Sequence, residues 1–389
     1  MKKVLIVEDD PVVANIYKNK LLGEGYEVQS ASEGETGLRL IGSFQPDVVL
    51  LDLLLPRMSG VDVIRQIRAG RKFARLPIIV FSNVYITNLI QEAAKAGATQ
   101  CLAKANCTPQ RVLDLVRQAV GDSGIRSQGH PVSPPAPSSA NATADAEFRD
   151  GLRKIFVDNL PGTLAALRAN LQSLIKSDGE KACCEQIHAL YRRVHALTGN
   201  AGLAGLAPIA RMGASLEALL KELSENPKRV NHSTLRTVAA AIDFLGQWFE
   251  KGAPLEQQEF PAVSILVVDD EAISRRAVAY ALDKARLQSV VVEDPKVALD
   301  LLREKDFDLA ILDVDMPGVT GLELCMRLRA MPRHKTTPVI FVTALSDFDD
   351  PSGAVLAGGN DFIAKPFPFA ELSVKALIHV LRGKLRPVD

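Results

Sequence analysis

The sequence has 389 residues, 47% of them hydrophobic, which is enough for two or three domains that each bury a core. The sequence has 46 basic residues (lysine and arginine) and 46 acidic residues (aspartate and glutamate). This balance provides no overall positive charge to attract nucleic acid or an anionic membrane. No apolar run approaches the roughly 20 residues of a membrane span, so we expect no membrane insertion. The five cysteines have no Cys-x-x-Cys spacing, which is typical of reduced thiols, so we expect a cytoplasmic protein.

The first 120 residues alternate apolar, β-branched runs with stretches of helical spacing. The predicted strands are VLIV, EVQSA, DVVLL, PIIVF and TQCLA. Strand and helix units of this size predict a doubly wound, mostly parallel sheet, in which ligands bind beyond the carboxyl ends of the strands. Residues 1–120 are therefore predicted to form one α/β domain.

The middle of the chain has a different composition. Residues 121–145 are rich in proline, serine, alanine and glycine and are predicted to be a flexible linker. Residues 146–251 show amphipathic stretches separated by short polar breaks, which predict an all-α bundle of four or five helices. A second short linker is predicted at residues 252–261.

The last domain, residues 262–389, repeats the first at a constant offset of 261 residues. DVVLLDLLLPRMSG, which begins at Asp47, corresponds to DLAILDVDMPGVTG, which begins at Asp308. The offset holds along the domain as far as Lys104 and Lys365. The two ends of the chain are therefore predicted to be copies of one fold.

In each copy, polar residues lie at the ends of the predicted strands. They are Glu8, Asp9, Asp52, Ser82 and Lys104 in the first copy, and Asp269, Asp270, Asp313, Thr343 and Lys365 in the second. Three neighbouring carboxylates repel one another unless they share a cation, and oxygen ligands favour Mg²⁺. An opposing hydroxyl and lysine could hold phosphoryl oxygens. Each residue alone would be taken for a helix cap or a solvated charge, but their joint recurrence favours a site.

These residues make both ends of the chain similar to the receiver domains of bacterial two-component response regulators, over residues 1–120 and 262–385. The resemblance implies a flavodoxin-like, five-stranded parallel sheet, with Asp52 and Asp313 as phosphoryl acceptors and one Mg²⁺ per receiver. The implied metal ligands are Glu8, Asp9 and Asp52 with the Leu54 carbonyl, and Asp269, Asp270 and Asp313 with the Asp315 carbonyl. The implied phosphoryl-binding residues are Ser82, Lys104, Thr343 and Lys365.

The two copies differ in the residues that receivers use to change conformation. Phe362, three residues before Lys365, matches the aromatic residue that commonly moves inward on phosphorylation, whereas the first copy has Cys101 there. Proline follows Lys365, and Ala105 follows the first-copy lysine. We therefore expect the C-terminal receiver to be the better switch.

The segment YRRVHALTGNAGLAG, which begins at Tyr191, places His195 among small residues in a predicted helix. Glycine in a helix costs on the order of 1 kcal/mol relative to alanine, so we expect the bare segment to leave the imidazole open to a bulky partner. The ordinary alternative is a core or capping histidine.

The same segment resembles the histidine phosphotransfer (Hpt) motif His-x-Leu-Lys-Gly. His195, Leu197 and Gly199 agree with it, and Thr198 replaces the lysine. The resemblance implies that His195 carries a phosphoryl group on a four-helix bundle. Arg192, at i−3, could substitute for the missing charge.

We therefore expect a phosphorelay protein that accepts phosphoryl groups on receiver aspartates and passes them through His195. Its expected partners are a sensor histidine kinase and other receiver or phosphotransfer proteins, with no nucleic acid and no output enzyme domain. The sequence leaves the direction of phosphate flow and the oligomeric state open.

Two alternatives to the relay remain. In the first, the protein is a phosphorylation-switched adaptor whose bundle binds a partner without phosphotransfer. In the second it is a phosphatase, because DVDMP resembles the Asp-x-Asp of haloacid-dehalogenase-type phosphatases through Asp315. Leu54 at the matching position of the first copy, and the acidic pair one strand earlier, weigh against the phosphatase.

Overall fold

In the computed structural model, the described strands form two parallel sheets, one from each end of the chain. The structure describes residues 1–82, 87–103, 109–121, 139–250, 260, 262–344 and 358–384. The chain divides into two units, Met1–Phe156 with Gly199–Gly205, and Val157–Thr198 with Leu206–Asp389. No helix within these described ranges has both the length and the apolar character needed to cross a membrane.

The sheet of the first unit has five parallel strands in the order β2-β1-β3-β4-β5. The strands are β1 Lys3–Val7, β2 Glu27–Ala31, β3 Val48–Asp52, β4 Ile78–Ser82 and β5 Gln100–Ala103. Every residue of β3 is buried, as expected for a central strand covered on both faces. The predicted strands and the doubly wound topology are confirmed.

Helices connect these strands and cover both faces of the sheet. They are α1 Pro11–Gly23, α2 Gly34–Phe44, α3 Gly60–Ala69, α4 Thr87–Ala96 and α5 Pro109–Ala119. Helices α2, α3 and α4 contribute to the core that contains Leu51 and Val80. Because side chains alternate along a strand, Phe81 points to the opposite face, where it packs against Tyr17 of α1.

The sheet of the second unit repeats this topology in the order β7-β6-β8-β9-β10. Its strands are β6 Ile265–Val268, β7 Ser289–Val292, β8 Leu309–Asp313, β9 Val339–Ala344 and β10 Asp361–Lys365. Its described helices are α10 Ala272–Lys284, α11 Pro295–Glu304, α12 Gly321–Ala330 and α13 Phe369–Lys384. The repeat inferred from the sequence is therefore also a repeat of the fold.

Among the described residues, four α-helices lie between the two sheets along the chain, in agreement with the predicted bundle. They are α6 Ser139–Ile175, α7 Glu180–Leu203, α8 Ala207–Glu225 and α9 His232–Glu250. Helix α6 begins inside the range predicted as linker, so that prediction is wrong for residues 139–145. The alanine-rich sequence there favours a helix despite having little to bury. Residues 122–138 of that linker, and residues 252–259 and 261 of the second, lie outside the described residues.

The loop after the third strand in chain order of each sheet turns so tightly that only glycine fits at its end. A Cβ on Gly321 would overlap the carbonyl oxygen of Asp313 and lie 2.8 Å from its carbonyl carbon. A Cβ on Gly60 would likewise overlap the carbonyl oxygen of Asp52 and lie 3.0 Å from its carbonyl carbon. The helix begins at this glycine, and Thr320 caps it by accepting a hydrogen bond from the amide of Glu323 at 3.2 Å. The close approach holds the acidic end of β8 against the start of α12.

We expect Gly321→Ala to destabilise the C-terminal α/β domain by about 1–3 kcal/mol, because the new methyl group meets backbone that cannot yield. Native-state hydrogen exchange of the β8 amides measures the loss. The control is Gly383→Ala, whose Cβ meets nothing within 4 Å on the exposed end of α13. That substitution should be neutral or stabilising by up to about 1 kcal/mol. Equal effects of the two substitutions would contradict the packing argument.

Candidate functional site

The N-terminal receiver gathers three carboxylates at the carboxyl edge of its sheet. Val7 of β1 pairs with Leu51 of β3, so the acidic residues that follow them come together. Glu8, Asp9 and Asp52 each offer an oxygen, and these oxygens all lie within 4.8 Å of one another. Glu8 and Asp52 are buried and Asp9 is half-buried. Buried like charges at this separation favour a bound cation over mutual repulsion.

The C-terminal receiver builds the same cluster from Asp269, Asp270 and Asp313, again with oxygens within 4.8 Å of one another. Asp269 and Asp313 are buried, and Asp270 is exposed. The hydroxyl of Ser274 donates to Asp269. Three carboxylates and no softer ligand form a donor set that fits Mg²⁺ or a similar hard ion in both receivers.

Lys365 ends β10 and reaches into this cluster. Its Nζ lies 2.9 Å from Oδ2 of Asp313 and 3.2 Å from Oδ2 of Asp269. Burial raises the pKa of the Asp313 carboxyl, with a further contribution from Asp269, and Lys365 offsets only part of this. Burial alone would lower the pKa of Lys365, but its hydrogen bond to Asp313 and the two negative charges raise it. The lysine therefore stays charged beside Asp313.

The remaining predicted receiver residues differ in how much the structure describes. Thr343 is buried on β9 and pairs with Ala364, next to Lys365. Leu54 and Asp315 lie two residues beyond Asp52 and Asp313, in the loops after those strands, and the amide of Leu54 donates to Asp52 at 3.3 Å. Ser82 ends β4, but its side chain and the whole of Lys104 lie outside the described residues.

Sequence reasoning missed a pair of arginines at matching positions of the two receivers. Arg329 of α12 donates to the carbonyl oxygens of Thr337 at 2.6 Å and Gly358 at 2.7 Å. Arg68 of α3 makes the equivalent bonds to Leu76 and Gly97, both at 2.9 Å. These bonds fix the segments that lead into the last two strands of each sheet. The offset of 261 residues between the arginines is the signal that could have found them.

His195 lies on α7 and is buried, with 5% of its surface exposed. Its Nδ1 lies 3.0 Å from Oε2 of Glu217 on α8, and its ring stacks on Tyr191 at 6.2 Å between centroids. The expectation that the bare segment leaves the imidazole open is therefore wrong. Glu217, also buried, is a third residue that sequence reasoning missed. Its only signal in the sequence is an acid among the leucines Leu216, Leu219 and Leu220 of α8.

Thr198, which replaces the motif lysine, faces the interior of the bundle. It is buried, its hydroxyl donates to the carbonyl of Val194 at 2.8 Å, and a Cβ on Gly213 of α8 would lie 3.2 Å from the Thr198 Cβ. The Thr198 side chain therefore fills the space beside Gly213. Arg192, the predicted substitute, is exposed, and Gly199 is buried.

Comparison with known proteins divides the chain in the same way. The model of the response regulator receiver domain matches residues 4–117 and 265–377, together more than half of the chain, and the Hpt domain model matches residues 151–248.

Curated relatives match a stretch of this chain about as long as one receiver domain. The uncharacterized transcriptional regulatory protein YrkP of Bacillus subtilis is 35% identical over 121 residues, which cover 31% of this chain and 51% of that protein. The two-component response regulator PhoP of Pseudomonas aeruginosa is 34% identical over 113 residues, 29% of this chain and 49% of that protein. The chain thus spans about half the length of these relatives.

Among solved structures, the chemotaxis response regulator CheY4 of Vibrio cholerae is 27% identical, with a TM-score of 0.29, and covers 31% of this chain and 98% of its own. The family models, the repeated sheet and the two acidic clusters agree. The chain belongs to the response regulator receiver domain family, and its two receiver domains flank an Hpt domain.

Proposed function

We propose that the protein is a phosphorelay component of two-component signalling, in which phosphoryl groups pass between the receiver aspartates Asp52 and Asp313 and the imidazole of His195. The observation that carries the proposal is the same carboxylate triad in both receivers of a chain whose Hpt domain pairs His195 with a buried acid. A receiver accepts phosphate and an Hpt histidine passes it on, so one chain holds both halves of a relay.

In each receiver step, a carboxylate oxygen of Asp52 or Asp313 attacks the phosphorus of a phosphohistidine. The new P–O bond forms as the P–N bond breaks, and the electron pair returns to the donor imidazole. Charge accumulates on the phosphoryl oxygens, and the charged Lys365 beside Asp313 stabilises it. The buried Asp313 needs no separate base, because a carboxylate is already a nucleophile once ionised.

We assign the other receiver residues to supporting roles. Thr343 with Lys365, and Ser82 with Lys104, bind the phosphoryl oxygens, and Phe362 responds to phosphorylation. Glu8, Asp9 and Asp52 with the Leu54 carbonyl, and Asp269, Asp270 and Asp313 with the Asp315 carbonyl, would hold Mg²⁺. When bound, that ion would supply positive charge that stabilises the negative charge on the phosphoryl oxygens.

The Hpt step depends on the tautomer of His195. Glu217 accepts a hydrogen bond from Nδ1–H at 3.0 Å, which leaves the lone pair on Nε2 to attack phosphorus. The same bond stabilises the positive charge that the ring gains when it is phosphorylated. Because His195 is 5% exposed, the ring must be uncovered before a receiver can reach it. We assign Arg192, which is exposed one turn before His195, to phosphoryl binding in place of a lysine at 198, and Gly199 to close approach of the receiver.

We further propose that the protein is cytoplasmic, with a sensor histidine kinase as the phosphoryl donor and other receiver or Hpt proteins as relay partners. A histidine kinase would present the phosphohistidine that the receiver carboxylates attack. The family models match receiver and Hpt domains, so we propose signalling without an output enzyme.

We expect Lys365→Ala to tighten Mg²⁺ binding at the C-terminal receiver by roughly three- to tenfold, because the lysine charge opposes a cation among the same carboxylates. Isothermal titration with MgCl₂ on Asp52→Asn chains isolates this site. The control is Lys335→Ala, an exposed lysine of the same receiver, which should leave the affinity unchanged. Weaker Mg²⁺ binding in Lys365→Ala would contradict the electrostatic argument.

The relay itself is tested by labelling the full chain with radioactive phosphoramidate and Mg²⁺. Phosphoaspartate is labile in alkali and phosphohistidine is stable there, so the two kinds of label separate. We expect His195→Ala to lose the alkali-stable label and to keep the alkali-labile label. Asp52→Asn and Asp313→Asn should each lose part of the alkali-labile label.

The matched control is His188→Ala, which removes an exposed histidine seven residues earlier on α7 and should keep the alkali-stable label. Alkali-stable label that survives His195→Ala sinks the relay. Label on the aspartates with none on His195 in the unmodified chain would instead favour the adaptor.

Glu217 acts as a positioning residue, so its substitution should slow transfer without blocking folding. We expect Glu217→Ala to reduce transfer from phosphorylated His195 to a receiver by about tenfold or more, and Glu217→Gln to restore part of the rate because its amide oxygen still accepts from Nδ1. Nitrogen NMR of the His195 ring reports the tautomer, which a purely structural role would leave unchanged. An unaltered Nδ1–H population in Glu217→Ala would contradict the assignment.

A further inference from the structure

Helix α9 meets strand β10 and helix α13 around a cavity of about 330 Å³. All three elements belong to the second unit of the chain, in which α13 packs on α8 and α9. Cavities that bind small molecules commonly lie between packed domains and have volumes of about 300 to 1,000 Å³. This cavity therefore has room for a small ligand.

The wall of the cavity is positively charged. Its described lining residues include three cations, Arg236, Lys375 and Arg382. Asp361 is the one carboxylate among them, so two net positive charges remain while His379 is neutral. Lys375 is buried and Arg382 is half-buried, and charges that are removed from water require partners of opposite sign. The wall therefore favours an anionic ligand.

The carboxylate of Asp361 is already shared by the basic groups around it. Its Oδ1 lies 2.9 Å from Nζ of Lys375 and 3.5 Å from Nη2 of Arg236. Its Oδ2 lies 3.5 Å from Nε2 of His379. Burial would raise the pKa of Asp361, but His379 and Lys375 outweigh it and hold that pKa well below its ordinary value. Asp361 therefore stays ionised, and groups other than Arg382 engage both of its oxygens.

The guanidinium of Arg382 has no such partner. Arg382 lies in the last turn of α13 and lines the cavity, and it makes no hydrogen bond or ion pair with another described residue. A guanidinium presents a planar fork of N–H donors that matches two oxygens of a phosphate group. A half-buried fork beside a cavity with surplus positive charge indicates a phosphate-bearing ligand.

A second cavity, of about 780 Å³, adjoins the first. Arg236 and Phe362 line both cavities, and the guanidinium of Arg236 lies 4.7 Å from the centroid of the Phe362 ring. The second cavity is also lined by the apolar side chains of Ile175, Leu235 and Ala239. Apolar surface of this kind favours a flat ring that buries the same surface. A cationic space and an apolar space thus share one wall.

We propose that the two cavities together bind a nucleoside monophosphate, with its phosphate at Arg236 and Arg382 and its base in the apolar cavity. A phosphomonoester carries about two negative charges at neutral pH, which match the two surplus positive charges of the wall. The base packs against Ile175 and Leu235. A nucleoside alone would leave the arginines without an anion, and inorganic phosphate would leave the apolar cavity unfilled.

The test is isothermal titration of the full chain with three probes: adenosine monophosphate (AMP), adenosine and inorganic phosphate. EDTA is present, so that no metal ion draws phosphate to the acidic clusters of the receivers. We expect AMP to bind about tenfold or more tightly than either of the other probes, because only AMP fills both cavities. AMP that binds no more tightly than adenosine, or no more tightly than inorganic phosphate, overturns the inference.

Arg382→Gln tests the phosphate end of the ligand. We expect this variant to bind AMP about tenfold more weakly, because charge-assisted hydrogen bonds are lost, and to bind adenosine as the unmodified chain does. The matched control is Arg276→Gln, which removes an exposed arginine of α10 that lines neither cavity, and it should leave AMP binding unchanged.

Ile175→Ser tests the base end of the ligand, at a side chain that is 60% exposed and therefore contributes little to folding. We expect AMP to bind about two- to fivefold more weakly and inorganic phosphate to bind as before, because only apolar contact is lost. The matched control is Ile155→Ser, at an exposed isoleucine of α6 that lines neither cavity. Full AMP affinity in Arg382→Gln overturns the inference and leaves the proposed function standing, since the relay residues take no part in the site.

Discussion

The repulsion between carboxylates at the end of a parallel sheet is the constraint on which both receivers depend. Asp52 and Asp313 close buried central strands, and each lies beside further acids on the neighbouring strand. Folding brings these charges together only because the gain from burying the strands exceeds the cost of the cluster. In the C-terminal receiver, Lys365 neutralises part of that charge. The site is thus held ready for a ligand of opposite charge by the core beneath it.

The receivers could be predicted in detail because their chemistry lies at fixed positions along strands. Once a strand is recognised, the residue at its end is placed at the sheet edge, so Glu8, Asp52 and Asp313 followed from pattern and from the repeat. The arginines Arg68 and Arg329 escaped notice because they act on backbone carbonyls, which carry no sequence signature.

The Hpt domain was harder to predict, because its site depends on which helix faces meet. The small residues around His195 suggested an exposed imidazole. The ring is instead buried and hydrogen-bonded to Glu217, 22 residues further along the chain. Helical periodicity identifies a buried face but does not tell which partner helix it contacts. The start of α6 at Ser139 was missed for a related reason, since an alanine-rich stretch resembles a linker in composition and a helix in propensity.

The packing of Thr198 against Gly213 gives a structural reason for the threonine in the altered Hpt motif. The threonine occupies the space that a side chain at 213 would need, so the two positions share one volume at the crossing of α7 and α8. Cores tolerate exchanges that conserve volume. Related chains that carry an alanine or serine at 213 should therefore carry a smaller residue at 198. The size of the residue at 198 then depends on how closely the two helices cross, independently of the charge that phosphoryl transfer needs.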